Sequence, residues 1–346
     1  MTEPIVAPYG SWASSLPIER VTDGAIFLSE ARGAGGIRWW LEGRPEEAGR
    51  QGLVRRDPDG TITRLTPPGF NARSRVHEYG GAATLVSGDL VVVSDFATGR
   101  LHRVTGPEAM EPLTPERPWR FADLEHDEPR GRLYAVREDH DEEVVAVDGE
   151  WRNDLVSIDL ATGEVTSIAS GADFYASPRR SPDGRSLAWT EWNHPNMPWD
   201  GTELKLAAIG EGGDVGPATT IAGSPADWIS QPRWSSDGTL HFLAEPDGWM
   251  NLFRYRGGSA EAIAPMAVEL GEPEWIFGNH SYDFLSDGSI VAAGRSEGRD
   301  RLYRIDPMGT VAVIDTPYSE IGGLSLDGDT VILRAVGPLE PGQIAD

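Results

Sequence analysis

The chain has 346 residues, 39% of them hydrophobic, and carries 55 acidic against 30 basic side chains, for a formal net charge of -25 at pH 7. This charge argues against nucleic-acid binding, which depends on lysine and arginine side chains that displace counterions from phosphates. The chain contains no cysteine, which excludes disulfides, thiolate metal sites and a cysteine nucleophile. No apolar run is long enough to span a membrane and the start, MTEPIVAPYGSW, does not resemble a secretion signal, so we expect a cytoplasmic protein with no membrane partner.

Residues 1–24 are expected to form an N-terminal arm, and from residue 25 onward one pattern recurs, a strand, a tight turn with glycine and an apolar strand. Glycine accepts the positive φ that such hairpin turns require, which makes Asp-Gly between apolar runs a strong hairpin signal. The copies are ARGAGGIRWWL (31–41), LVSGDLVVV (85–93), EPRGRLYAV (128–136), SPDGRSLAW (181–189), SSDGTLHFL (235–243), LSDGSIVAA (285–293) and SLDGDTVIL (325–333).

The turn glycines of these seven copies are 40 to 54 residues apart, which is the length of a four-stranded propeller blade. Most hairpins are followed by two more strand-like runs, and helix-period patterns are nearly absent. The sequence therefore predicts an all-β fold, a seven-bladed β-propeller over residues 25–346. The expected blades are 25–66, 74–115, 119–169, 173–223, 228–265, 277–315 and 318–346.

The seventh blade is predicted to be incomplete, because the residues after 318 leave room for two strands only. Residues 1–24 contain little that resembles the two missing strands. We therefore expect either an open ring or a chain that is part of a longer polypeptide, and we favour the second interpretation.

Long loops are predicted on one face of the propeller and short Asp-Gly turns on the other. The loop face would carry the segments between the second and third strands of blades and the connections between blades, and function in scaffold proteins gathers on loops of this kind. The most unusual loop is NHPNMPWDG (193–201), with its Pro, Met and Trp residues. The candidate substrate- or domain-facing residues are His77, Glu78, Tyr79, Glu138, Glu142, Glu143, His194, Asn196, Met197, Trp199, Asp200 and His280.

Several segments together resemble the N-terminal propeller of prolyl oligopeptidase-family serine peptidases, particularly the bacterial acylaminoacyl-peptidase and dipeptidyl-peptidase-like members. They are VHEYGG (76–81), SPDGRSLAW (181–189), HPNMPWDGTEL (194–204), ISQPRWSSDG (229–238) and GWMNLFRY (248–255). The resemblance implies a propeller that caps an α/β-hydrolase domain and restricts access to it, with peptides as substrates. No such catalytic domain is recognisable in this chain.

The motif GRSEG (294–298) fits the nucleophile elbow G-x-S-x-G, yet that elbow must join a strand to a helix and needs an Asp and a His downstream. Here the surrounding residues predict strand, turn and strand, and no His follows His280. The seven His residues also lack metal-site spacing. We therefore predict no catalytic residue, no metal site and no cofactor.

One further hypothesis concerns paired carboxylates. Glu142 with Glu143, or Glu138 with Asp139, would hold the free ammonium group of a peptide substrate, as acidic propeller residues do in dipeptidyl-peptidase relatives. These residues match no motif of that family.

The leading interpretation is the non-catalytic propeller portion of a serine exo- or oligopeptidase, which binds and gates peptides and docks a hydrolase domain. The alternative is a free-standing propeller that binds a peptide or protein and exposes no hydrophobic patch. A third interpretation, a metal-dependent propeller enzyme of the lactonase type, would require carboxylates that converge on a bound Ca²⁺ ion.

Overall fold

Antiparallel β-sheet forms nearly all of the regular structure, as the sequence predicts. The computed structural model describes residues 6–22, 24–141 and 151–346. One short α-helix, α1, covers Ile18–Thr22, and two 3-10 helices cover Pro45–Glu47 and Glu128–Arg130. Among the described residues, no helix is long and apolar enough to cross a membrane.

The strands form seven separate sheets, each strand hydrogen-bonded to the next in the chain, so the prediction of a seven-bladed propeller is confirmed. Blades 1 to 3 comprise β1 (Phe27–Ala34), β2 (Ile37–Arg44), β3 (Arg50–Arg56), β4 (Ile62–Arg64); β5 (Thr84–Ser87), β6 (Leu90–Ser94), β7 (Leu101–Gly106), β8 (Ala109–Pro112); and β9 (Trp119–Asp127), β10 (Arg132–Asp139), β11 (Arg152–Asp159), β12 (Val165–Ala169).

Blades 4 to 7 follow in the same order. They comprise β13 (Phe174–Arg180), β14 (Ser186–Trp192), β15 (Thr202–Ala208), β16 (Thr219–Ser224); β17 (Ile229–Trp234), β18 (Leu240–Ala244), β19 (Asn251–Arg256), β20 (Ser259–Ala262); β21 (Tyr282–Phe284), β22 (Ile290–Ser296), β23 (Arg299–Ile305), β24 (Val311–Ile314); and β25 (Glu320–Asp327), β26 (Thr330–Val336), β27 (Gln343–Ala345).

The seventh blade is incomplete, as predicted, but it has three strands instead of the expected two. The third strand, β27, is only three residues long and follows the Gly- and Pro-rich segment 337–342. Such a short strand after a turn-rich segment gives no recognisable alternation in the sequence. Its position depends on tertiary contacts, because Ala345 is buried among the apolar residues between blades 6 and 7.

The core is divided among the junctions between blades. Six buried apolar clusters occur among the described residues, one at each junction from blades 1 and 2 to blades 6 and 7. The faces of neighbouring sheets supply both halves of each cluster, so blades 2 to 6 each bury apolar residues on both faces.

The junction between blades 7 and 1 is held by polar contacts. The carboxylate of Asp327, at the end of β25, accepts hydrogen bonds of 2.7 Å from the backbone N–H groups of Gly35 and Gly36 in blade 1 and from Arg38 Nη1. Ser325 Oγ donates to Ala31 O at 3.1 Å. Side-by-side packing of β1 and β25 therefore closes the ring, and no strand is shared between these two sheets among the described residues.

The innermost strands carry a repeated β-bulge. The register between first and second strands shifts in blades 1, 3, 4, 5 and 7. In each of these five bulges lies a residue with positive φ: Glu30, Asp123, Ser177, Gln231 and Gly323. A bulge turns side chains away from the regular alternation of a strand. Here three bulge side chains reach the next blade's backbone: Glu30 accepts from Ala83 N, Asp123 from Ser177 N and Gln231 from Ser281 N.

Two blade connections meet over the axis on the loop face. Phe277 N, in the connection to blade 6, donates a 2.8 Å hydrogen bond to Gly80 O, in the connection to blade 2. Blades 2 and 6 are not neighbours in the ring, so this contact spans the mouth of the central channel. We call residues 77–81 and 274–278 the loop bridge.

Candidate functional site

The loop bridge separates two cavities on the loop face. The larger, about 780 Å³, lies towards blades 3 and 4, and we call it the aromatic cavity. The other, about 620 Å³, lies towards blades 1, 6 and 7, and we call it the axial cavity. The bridge residues Tyr79, Ile276, Phe277 and Gly278 line both cavities.

The aromatic cavity brings together most of the side chains that the sequence singles out. Seven of them line it, drawn from two loops and from the end of strand β10: His77, Glu78, Tyr79, Glu138, His194, Asn196 and Met197.

The other predicted residues lie elsewhere. Trp199 does not line the cavity but packs behind it on Trp275, with ring centroids 4.6 Å apart, and Asp200 supports the loop by accepting a hydrogen bond from Met197 N. His280 lines the axial cavity instead. Glu142 and Glu143 lie outside the described residues.

The NHPNMPWDG loop is tied to its surroundings at both ends. The side chain of Asp173 accepts a 2.9 Å hydrogen bond from His194 N, and Asn196 Nδ2 donates to Pro225 O at 2.7 Å. Thr202, the first residue of β15, donates its hydroxyl to Pro198 O. These bonds fix a loop that has no strand pairing of its own, so its side chains present a defined wall to the aromatic cavity.

Aromatic rings supply much of that wall. Phe174 and Trp192 stack with centroids 5.4 Å apart, and the His77 ring meets them edge-on at 5.0 and 5.5 Å. Phe277 approaches the same imidazole at 4.8 Å. Sequence reasoning placed the segments around Phe174 and Phe277 on this face without singling out either residue. It did not include Trp192, which ends β14 directly before the NHPNMPWDG loop, among the candidate residues.

His77 lies in an apolar, strained setting. Burial lowers the pKa of its imidazole to about 3, so the ring is neutral at pH 7. Nε2 is buried and makes no hydrogen bond to any described residue. The backbone has φ of +53° at His77 and +66° at Glu78, a region that residues other than glycine rarely adopt.

Glu138 holds the strained turn at His77 and Glu78, and both of its carboxylate oxygens already have hydrogen-bond partners. One carboxylate oxygen accepts a 2.9 Å hydrogen bond from His77 N, and the other lies 2.8 Å from Arg120 Nη1 and beside His140. Its neighbour Asp139 is paired with Arg152 at 3.0 Å. The hypothesis that this pair holds a substrate ammonium group therefore loses support, because these oxygens are already engaged.

Glu274 is a carboxyl group that sequence reasoning overlooked. It belongs to the loop bridge and lines the aromatic cavity together with Asp123. Burial, reinforced by the nearby charge of Asp123, raises its pKa to about 8. Asp123 is itself engaged by Arg179 Nη2 and Ser177 N. The aromatic cavity thus combines apolar walls, a neutral imidazole and a carboxyl group that is largely protonated at pH 7.

The remaining chemistry-bearing motifs do not form a site. Ser296 ends β22 and pairs with Arg299 of β23, so the predicted strand, turn and strand around GRSEG is confirmed. In the described part of the chain, no three His, Asp or Glu side chains are grouped so that they would hold a metal ion.

Comparisons with solved structures place the propeller in a family. A puromycin-hydrolyzing peptidase from Mycobacterium tuberculosis is 34% identical with a TM-score of 0.88, over 99% of this chain and 55% of that one. A puromycin hydrolase is 30% identical with a TM-score of 0.88, over 98% of this chain and 54% of that one. An acylaminoacyl peptidase from Pyrococcus horikoshii shares the fold at 15% identity and a TM-score of 0.67, over 94% and 51% of the two chains.

The chain spans about half the length of these solved structures. No family model and no curated protein matches it. Fold and cavity define a seven-bladed β-propeller with a deep aromatic cavity on its loop face. The resemblance to the prolyl oligopeptidase family is confirmed, and the chain is a propeller domain of that family.

Proposed function

We propose that the chain is the non-catalytic propeller portion of a cytoplasmic serine exo- or oligopeptidase. In this proposal it binds and gates peptide substrates and docks an α/β-hydrolase domain that is not part of this chain. The observation that carries the proposal is the aromatic cavity of about 780 Å³ beneath the loop face. The names of two similar solved structures, a puromycin-hydrolyzing peptidase and a puromycin hydrolase, support a peptidase context.

The rim of the aromatic cavity supports a docking or substrate-facing role. It exposes large apolar side chains, with Tyr79 57%, Trp275 50% and Ile276 49% accessible. Apolar side chains grouped on a surface mark interaction sites, since water is a poor neighbour for them. The free-standing alternative expects no such patch, so the rim favours the peptidase proposal.

The chemistry of the aromatic cavity favours a peptide end with an apolar or aromatic side chain and a free amine. Stacked rings accommodate the side chain and attract a cation through their faces. An ammonium group beside Glu274 would favour ionisation of that carboxyl, whose pKa is raised to about 8 by burial and Asp123. Binding would then create a charge pair within the cavity.

The test is a fluorescence titration of the chain with phenylalaninamide and with its N-acetylated form. We expect phenylalaninamide to bind and Trp275→Ala to weaken binding roughly tenfold, which corresponds to about 1.4 kcal/mol. The matched control is Trp249→Ala, because Trp249 is similarly exposed at 42% but does not line the cavity. Equal effects of the two substitutions, or no binding at all, would contradict the proposal, and tighter binding of the acetylated form would exclude an amine contact.

The complete enzyme provides a second test. Trp199→Ala is expected to alter kcat/KM across a panel of chromogenic aminoacyl, acyl-aminoacyl and dipeptidyl substrates, because Trp199 supports the Trp275 ring at the cavity rim. The isolated chain should give no turnover and no labelling by a serine-directed phosphonate. Unchanged kinetics and stability in the Trp199 variant would remove the loop from the proposed role, and phosphonate-sensitive turnover by the isolated chain would reveal a catalytic serine in it.

A further inference from the structure

A neck in the central channel lies beneath the loop bridge. Arg32 on β1 and His280 just before β21 both line the axial cavity, and both also line a smaller cavity of about 370 Å³ further along the axis. The two side chains therefore sit where these cavities meet. We call this place the channel neck.

Arg32 has no direct partner among the described residues at the channel neck. Its guanidinium makes no hydrogen bond or ion pair with any of the described residues, although other arginines of the chain are paired with carboxylates. Burial lowers its pKa, and nearby Arg233 and Arg179 act in the same direction. An arginine retains its charge in proteins, so this is an unpaired cation in a confined space.

The carboxylates near Arg32, those of Glu30 and Asp123, already accept hydrogen bonds from other groups. Glu30 accepts hydrogen bonds from Ala83 N, Thr84 N and Thr84 Oγ1, at 2.8, 3.0 and 2.5 Å. Asp123 is held by Ser177 N and Arg179. Both carboxylates interact with Arg32 electrostatically without a direct hydrogen bond. Neither therefore supplies the bidentate contact that a guanidinium makes with a carboxylate or phosphate.

His280 adds a second donor. Its Nδ1 lies 2.6 Å from Arg233 Nη1, which also lies beside Asp283 through its other terminal nitrogen at 3.0 Å. A guanidinium can only donate, so Nδ1 accepts and the single ring proton is on Nε2. Among the described residues, no acceptor is bonded to that Nε2–H group.

We propose that the channel neck binds a small oxyanion, a carboxylate or phosphate group, between the Arg32 guanidinium and the His280 Nε2–H group. Such an anion would satisfy both donors and neutralise the unpaired charge. The overall charge of -25 repels anions at long range, so recognition must come from these local contacts. The site lies on the other side of the loop bridge from the aromatic cavity, and it does not depend on the proposed peptide role.

The experiment is a calorimetric titration of the 346-residue chain with inorganic phosphate and, separately, with N-acetylglycine, in Tris buffer at fixed ionic strength. We expect one saturable site for at least one probe, and the tighter probe identifies the class. Arg32→Met should weaken binding at least tenfold. The control Arg254→Gln, which removes an outer-strand arginine paired with Glu261, should leave it unchanged. Absence of binding to the wild-type chain, or equal binding by Arg32→Met, overturns the proposal.

A second measurement does not rely on a variant that folds. Crystals of the wild-type chain soaked in sodium selenate should show anomalous density between Arg32 and His280. Density only at other positions, or none, contradicts the assignment. Without added anion, Arg32→Met should unfold at the same or a higher temperature than wild type, because the substitution removes an unpaired, partly buried charge. A lower temperature counts against the proposal.

Discussion

At the scale of single residues, His77 illustrates how environment decides chemistry. The sequence identifies it as one of several histidines on the loop face, but its properties come from Phe174, Trp192 and Phe277, which arrive from distant parts of the chain. These rings exclude water and keep the imidazole neutral, and Glu138 fixes its backbone. His77 is therefore a structural part of the cavity wall. Because folding lowers the pKa of its imidazole, protonation of this ring is coupled to unfolding.

The stability of the protein should fall on acidification through His77. The pKa of this imidazole is about 3 in the folded chain and near 6.5 when unfolded, so the unfolded chain binds the proton first. Its stabilising contribution is present above pH 6.5 and is lost as the pH falls towards 3. Between pH 7 and pH 5 the loss is about 2 kcal/mol. The test is His77→Asn, because Asn tolerates positive φ. Between pH 7 and pH 5 we expect the free energy of unfolding of this variant to fall by about 2 kcal/mol less than that of wild type.

Urea unfolding at pH 7 and pH 5 measures this difference. The quantity compared is the change in the free energy of unfolding between the two pH values, so it does not depend on the variant's baseline stability. His241 provides a parallel case, because burial lowers the pKa of its imidazole to about 4. The double variant with His241→Asn should lose roughly twice as much pH dependence. Equal pH dependence in wild type and His77→Asn would contradict the buried, neutral state of His77.

At the scale of elements, the β-bulges and the loop bridge organise the axis of the propeller. Neither has a sequence signature, since a bulge looks like one extra residue in a strand and the bridge joins loops about 200 residues apart. The bulges tie inner strands to the next blade, and the bridge divides the loop face into two cavities. These elements separate the proposed peptide site from the proposed anion site.

Gly81→Ala should break the loop bridge. Gly81 has φ of +94°, and a Cβ atom there would lie 2.4 Å from Phe277 O and 2.8 Å from Phe277 N. We expect a loss of about 2 kcal/mol or more, from strain together with the steric clash. Hydrogen exchange of the peptide that contains Phe277 should accelerate at least tenfold, because the hydrogen bond from the Phe277 N–H group to Gly80 O would break.

The control for this prediction is Gly88→Ala in the first turn of blade 2. Gly88 has φ of +57°, but a Cβ atom there would meet no other atom within 4 Å, so only backbone strain of about 1–2 kcal/mol applies. Exchange at Phe277 should not change in this variant. If both substitutions had the same effect on that exchange, the bridge would not depend on close approach at Gly81.

At the scale of the whole molecule, the ring is held together by six apolar junctions and one polar junction. Asp327 links blade 7 to blade 1 through three donors. These hydrogen bonds lower the pKa of its carboxyl group, with the Gly36 N–H group as the largest contribution. The stabilisation is therefore present above about pH 4 and is lost as the pH falls through the lowered pKa.

Asp327→Asn should weaken ring closure by roughly 1–3 kcal/mol at pH 7, because it removes the charge from three hydrogen bonds that join the first and last blades. Chemical unfolding measures the change, and the gap from wild type should narrow below pH 4. Asp59→Asn is the control, since the carboxylate of Asp59 accepts its hydrogen bond from Thr61 within its own turn and joins no two blades. A loss no larger than that of the control would mean that the packing of β1 on β25 closes the ring without Asp327.

The sequence by itself determined the architecture, because Asp-Gly turns and apolar alternation are local signals that repeat seven times. It also determined which loops share a face, since strand direction alternates within each blade. Only the tertiary structure decided how the ring closes, where the bulges lie and how the loop bridge forms the two cavities. It likewise decided that Glu274 becomes a largely neutral acid and that Arg32 has no partner among the described residues. Burial and charge pairing depend on residues brought together from different blades.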